Sequence, residues 1–377
     1  MLKCICYLIF ISALLACHSE KEIKVVTGDL KDFKVDDITL ALDEFSTGNS
    51  QLFQYSQIGD SEYLLMVETG GIGSTKGPNI DLYDLSNREK LKRLHVPKEG
   101  PNGVPMPPKV WMLNLDSLLL ITQRKRYIMN WEGEIINEIE LENYIDSAED
   151  KYPEISNYAH PIFLKDEIIF GLMPGLWESE LWLPDKRFIK LSTKENKVSG
   201  LINYSYPEIY KEYDRDINYI RMFSQQVEED VFVSFALGDS IYKLDGQKLK
   251  PAFSLRSLND HKFHYMPIDE SKGGLITITA GSSAAYVGML YDRYRKLFYR
   301  IMSQENTTPG NDMIKRKYSV LVADLEGNFL AELEFSRNEY LFHTGFIHPK
   351  GLVLAAIKEN DDELRFDVFD VEKALRN

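Results

Sequence analysis

Apolar and polar positions alternate along this chain in short runs, and the runs recur in one order. The clearest unit has an apolar run at 118–122, a second at 127–131, the turn Glu132-Gly133-Glu134, and an alternating stretch at 135–141. Period-two alternation rich in β-branched and aromatic residues, bounded by Asp, Asn and Gly, is a strand signal. Comparable units occupy 63–96, 167–202, 231–255, 275–335 and 352–369. The 3.6-residue period of long helices is missing over most of the chain.

At the turn residues Asp84, Asn130, Ser192, Asp245, Asp324 and Asp370 the spacings are 46, 62, 53, 79 and 46 residues. These lie near or above the ~40–50 residues of a propeller blade. The pattern predicts an all-β fold, a single β-propeller of six blades. The last unit stops short of a fourth strand soon after Val371, while Ile38-Thr39-Leu40-Ala41-Leu42 alternates ahead of the first unit. That N-terminal strand is expected to complete the last blade and remove an open edge.

The 79-residue spacing is the irregularity. It holds a further hairpin, 286–292 and 297–302, turned at Arg293-Tyr294-Arg295-Lys296, and then a polar loop at 304–317. The hairpin either decorates a fifth blade opened by the run 275–279 or belongs to a seventh.

The N-terminus follows other rules. One lysine, Lys3, precedes a 13-residue apolar run at 4–16, too short for the ~20 residues of a membrane-spanning helix and matched to the apolar region of a signal peptide. It ends in Leu14-Leu15-Ala16-Cys17, which resembles a bacterial lipobox. The expected organisation is a signal peptide at 1–16, a lipidated Cys17 and polar tether at 17–34, and the propeller at 35–377. All three cysteines fall in the N-terminal segment, so the remaining 360 residues hold no disulfide and no thiol nucleophile, as suits an oxidising envelope. The expected location is the outer membrane, on its periplasmic face or at the cell surface, with the membrane contacted through the lipid alone.

Composition removes some partners. With 44 basic and 58 acidic side chains the net charge is −14, and no basic stripe offsets it, so nucleic acid is not an expected partner. An envelope protein or a glycan is.

Candidate chemistry is sparse. The glycine-rich stretch 70–77 fails as a phosphate loop, because Gly77 stands after Lys76 where Ser or Thr is needed. His261 and His264 are three apart, a spacing that puts side chains on opposite faces of a strand. His343 and His348 open the last blade, where first strands approach the central channel and could bind metal or ligand; a hydrogen-bonded structural role competes. Trp177 and Trp182, in an apparent loop beside Glu178 and Glu180, could stack on a sugar or anchor a protein, unless they fold back onto the third blade. The hairpin's Tyr291, Arg293, Tyr294, Arg295 and Arg300 interleave aromatic and cationic side chains, an expected recognition ribbon for an anionic partner set against a structural hairpin.

The lipobox, the strand-and-turn order, Lys98-Glu99-Gly100-Pro101-Asn102-Gly103 and the hairpin 291–300 together resemble an uncharacterised family of Bacteroidota lipoproteins known as domain of unknown function 4221. That family is similar to six-bladed, TolB-like propeller lipoproteins. The resemblance implies fold and envelope location and carries no catalytic residues. The expected function is a rigid binding or scaffolding platform. The alternatives are a metal-dependent hydrolase or lactonase with a divalent ion in the central channel, and a carbohydrate-binding lipoprotein using Trp177 and Trp182.

Overall fold

The computed structural model describes residues 25–376 apart from 45, 47–51, 69–76, 106–108, 123, 142–151, 154–157, 174–182, 184–185, 214–219, 247, 260–262, 264–282, 306–315 and 358–361. Two strands, β1 (Val26–Asp29) and β2 (Lys34–Ala41), precede the first complete blade. Blade 1 is β3 (Leu52–Ile58), β4 (Ser61–Glu68), β5 (Asn79–Asp84) and β6 (Glu89–His95). Blade 2 is β7 (Lys109–Met112), β8 (Ser117–Ile121), β9 (Lys125–Asn130) and β10 (Ile135–Glu140). The two-residue β11 (Tyr152–Pro153) joins blade 3, which is β12 (Ile162–Leu164), β13 (Glu167–Met173), β14 (Lys186–Ser192) and β15 (Lys197–Tyr204). Blade 4 is β16 (Met222–Val227), β17 (Asp230–Phe235), β18 (Ser240–Asp245) and β19 (Lys248–Ser254). Blade 5 is β20 (Ala285–Asp292), β21 (Leu297–Ser303), β22 (Lys317–Ala323) and β23 (Phe329–Ser336). Blade 6 is β24 (Tyr340–His348), β25 (Gly351–Ala356), β26 (Glu363–Phe369) and β2.

The N-terminal strand closes the ring. It pairs antiparallel with β26 from Lys34 opposite Phe369 to Ala41 opposite Glu363. The chain enters the propeller earlier than residue 35, however. Strand β1 lies parallel on the outer edge of β23, and Leu30–Phe33 then turns, with Leu30 fully buried, to carry the chain into blade 6. One continuous segment therefore covers the edge of blade 5 and completes blade 6.

The hairpin at 286–302 is neither a decoration nor part of a seventh blade. Its strands β20 and β21 are the two innermost of blade 5, and every residue of β21 is buried. Strands covered on both faces read as continuous apolar runs, which disguises their place in a repeat whose outer strands alternate. The run 275–279 lies outside the described residues.

The turns between third and fourth strands share one device. Arg88, Gly133, Asn196, Gly246 and Gly327 each take a left-handed conformation, one in each of blades 1–5. Acceptors at the strand ends fix these turns: Asp84 from Ser86 N–H, Asn130 from Glu134 N–H, and Asp324 from Asn328 N–H.

Candidate functional site: the central funnel

The first strands β3, β7, β12, β16, β20 and β24 run in one direction around the axis, and their C-terminal ends converge on one face. They enclose a cavity of about 670 Å³ to which all six blades contribute. Its volume is that of a small-molecule pocket. At the mouth, Ile58, Phe163 and Tyr294, from blades 1, 3 and 5, are 39%, 36% and 38% exposed.

The first strands leave one edge unpaired, so their backbone groups need partners inside the ring. Glutamine amides supply them. Gln54 accepts from Met112 N–H at 2.7 Å and donates to Met112 C=O at 3.1 Å, joining blade 1 to blade 2. Gln226 does the same for Phe163, accepting and donating at 3.0 Å between blades 4 and 3. These amides explain why β3 (LFQYSQI) and β16 (MFSQQV) lack clean apolar alternation.

Tyr158, on the connection from blade 2 to blade 3, crosses the axis. Its hydroxyl accepts from Gly345 N–H of β24 at 3.2 Å, and its carbonyl accepts from the Gln225 amide at 3.3 Å. The ring packs against Gly288 of β20, where a Cβ would stand 2.8–2.9 Å from three ring atoms. Strand β24 bulges here, with 342–345 inserted between the pairs Leu341–Ala355 and Phe346–Val353. Thr344 stitches the bulge by donating to Leu341 C=O at 2.6 Å and accepting from Ala355 N–H at 2.9 Å.

The predicted histidines do not converge. His348 sits at the funnel end of β24, 5% exposed; Lys350 N–H donates to its Nδ1 at 3.2 Å, and its Nε2 lies 3.3 Å from Glu62 Oε1. That arrangement fixes the Nε2–H tautomer. Glu62 also accepts from the Tyr55 hydroxyl at 2.6 Å, so Tyr55, Glu62 and His348 pin blade 1 to blade 6. His343 belongs to the bulge, near Arg337 and Arg221 and away from the funnel lining. Burial pushes the His348 imidazole below the usual histidine pKa, an effect that Glu62 opposes, whereas His343 is exposed.

The hairpin residues divide. Arg300 is fully buried and spans blades 5 and 4, donating to the Ser234 hydroxyl and to the carbonyls of Phe235, Gly238, Asp239 and Leu255 at 2.8–3.2 Å. Its guanidinium lies 3.3 Å from the Tyr286 ring centroid. Arg295 pairs with the buried Asp292 at 3.0 Å and donates to Pro349 C=O of blade 6 at 2.9 Å. These two arginines are inter-blade clamps, not a solvated recognition face, because each satisfies interior acceptors. Tyr291 is buried at the cavity edge, while Arg293 and Tyr294 are exposed at the mouth.

Cys17, Trp177, Trp182, His261, His264 and positions 70–76 lie outside the described residues. Among the described residues no group of three or more His, Cys, Asp or Glu could hold a metal ion. The donor set that a divalent ion would need in the channel is therefore not found among them. The segment 98–103 is a tight inter-blade turn. Gly100 is left-handed, and a Cβ at Gly103 would come within 2.5–2.8 Å of the Glu99 backbone.

Sequence reasoning missed Tyr158, Gln54, Gln226 and the Tyr55–Glu62 pair. The glutamines inside strand-like runs were the one available signal; nothing local marks Tyr158. One topological fact also emerges only from pairing. Because β1 runs parallel to β23, and β23 runs away from the funnel face, Val26 lies at the funnel-face end of the blade 5 edge.

Fold and site define a closed six-bladed β-propeller whose central channel is plugged by a tyrosine and opens as a funnel on one face. The model of the family described as domain of unknown function (DUF4221) matches residues 22–334, and the chain belongs to that family. A DUF4221 member from Bacteroides vulgatus ATCC 8482 is similar in structure, with a TM-score of 0.67, 18% identity and coverage of 89% of this chain and 97% of that one. A luciferin-regenerating enzyme aligns with a TM-score of 0.45 at 9% identity over 88% of this chain and 95% of its own. The Pan2 WD40 domain of Neurospora crassa aligns with a TM-score of 0.43 at 10% identity over 91% and 98%. Among curated proteins, none matches the sequence.

Proposed function

We propose that this protein is a ligand-binding β-propeller of the cell envelope, held in the outer membrane by a lipid on Cys17. The observation that carries the binding role is the funnel of about 670 Å³, built by all six first strands and rimmed by exposed apolar side chains. A rigid ring suits that role because each blade holds its share of the wall without moving parts. The eight residues 18–25 can span at most about 30 Å when extended. An anchor at Cys17 would therefore keep the funnel face, where Val26 lies, turned toward the bilayer.

Two experiments test the two halves. In cells fed labelled palmitate, the wild-type chain is expected to carry label and partition into detergent, and Cys17→Ser to lose both. Unchanged partition would overturn the anchor. For the funnel, a thermal-shift screen of envelope metabolites and glycans is expected to yield ligands whose effect disappears in Ser56→Trp, which puts a bulky ring into the cavity. Ligands that stabilise both proteins equally would place binding elsewhere.

A further inference from the structure

We infer that the funnel takes a small organic anion with an apolar body, its charged end held by Arg293. This deepens the binding role proposed above and rests on it. The cavity has two unlike walls. One is aromatic: Tyr55 stacks with Phe346 at 6.1 Å between centroids, 9° from coplanar, and Trp111 packs on His160 at 4.5 Å. The other is the blade 5 turn, which supplies both cations of the lining, Arg293 and Lys296.

The two cations differ in their commitments. Lys296 faces Glu228 at 3.3 Å, and Glu228 is the carboxylate of the lining, so that pair is close to neutral. For Arg293 no carboxylate lies within ion-pair distance among the described residues. Its guanidinium sits 4.9 Å from the neighbouring Tyr294 ring centroid and donates to the Tyr294 hydroxyl at 2.8 Å. That hydroxyl in turn donates to Gln57 of blade 1 at 3.3 Å. The blade 5 turn thus reaches past blade 6 and holds the guanidinium over the mouth. Asp292, accepting from the N–H groups of Tyr294 and Arg295, fixes the turn from beneath.

Tyr291, only 9% exposed at the cavity edge, belongs with Lys296 and Glu228 on the blade 4 side of the turn and leaves Arg293 as the cation of the mouth without a carboxylate. An exposed guanidinium over an apolar pocket suits an oxyanion, which Arg recognises through its planar fork. The surrounding charge is opposite: on a chain of net charge −14, an uncompensated cation at a concave mouth is a local reversal that draws anions in. The aromatic wall then accepts the apolar remainder.

The test uses 2-naphthalenesulfonate and its neutral isostere 2-naphthalenesulfonamide, titrated calorimetrically at pH 7.5 into the full chain in detergent, with detergent-only blanks. The sulfonate is expected to bind at least tenfold more tightly than the sulfonamide. Arg293→Gln should remove that preference without moving the melting temperature, since Arg293 is exposed and its one hydrogen bond among the described residues is to Tyr294. Ser56→Trp should abolish binding of both. If both probes bind equally, are lost together in Ser56→Trp and ignore Arg293→Gln, the anion inference falls while the funnel role stands. Absence of binding by either probe at millimolar concentration also overturns the inference, and the funnel role is then decided by the ligand screen with Ser56→Trp alone.

Discussion

The Tyr158 hydroxyl accepts the Gly345 N–H at 3.2 Å, joining two residues 187 positions apart on opposite sides of the propeller axis. This contact ties blade 6 to the segment leading into blade 3, and it exists because Gly288 and Gly345 leave room for a phenol ring between two strands. Tyr158→Phe removes this hydrogen bond and is expected to cost about 0.5–1.5 kcal/mol. Gly288→Ala overpacks the same slot, at a cost of about 1–3 kcal/mol. In urea unfolding, Gly288→Ala combined with Tyr158→Ala should cost clearly less than the sum of the two, because the added methyl enters the space the ring vacates. Strict additivity would show that the two residues do not share a site.

Two arginines seven residues apart in the hairpin should behave as opposites. Arg300→Met strands four carbonyl groups and the Ser234 hydroxyl inside the protein and is expected to destabilise by about 3 kcal/mol or more. Arg300→Lys should recover little, since one ammonium cannot reproduce the fork. Arg293→Gln should stay within about 0.5 kcal/mol. Equal effects at 293 and 300 in a denaturant titration would contradict the assignment of one as a clamp and the other as a surface group.

Acid should weaken the fold before the carboxylates titrate. His348 has a folded pKa below the ordinary 6.5, chiefly through burial. The unfolded chain therefore binds more protons as the pH falls through that value. Its contribution is complete above about pH 6.5 and declines below it, as protons favour the unfolded state. Melting temperatures at pH 7.5, 6 and 5 should fall in that order. His348→Gln should flatten the decline; an unaltered slope would remove His348 as a source.

Truncation separates the two N-terminal strands. A chain starting at Leu30 loses only the edge cover of β23 and should still unfold cooperatively at a lower temperature. A chain starting at Leu42 loses β2, leaves blade 6 with three strands and opens the ring, so no cooperative transition is expected. Circular dichroism melts of both chains distinguish these outcomes, and equal behaviour would mean that β2 does not close the ring.

The outermost strands were legible because they are half buried, so alternation survives in sequences such as EKLKRLH and IINEIE. Their turns were legible because a left-handed residue is needed at one position, and Gly or Asn often fills it. The innermost strands were not. Where they face the channel they carry Gln and Ser, whose amides and hydroxyls bond neighbouring blades, and where they are covered on both faces, as in β20, they lose their period.

By itself the sequence determined the all-β class, the six-unit repeat, the closing N-terminal strand and the family resemblance, because each rests on local periodicity or on residues close together in the chain. Only the tertiary structure decided that the 286–302 hairpin is the heart of blade 5, that Arg295 and Arg300 are interior clamps while Arg293 overhangs a cavity, that His343 and His348 part company, and that Tyr158 seals the axis. Those outcomes depend on which strands become neighbours when the ring closes. Residues of one type and one spacing receive opposite environments from that closure.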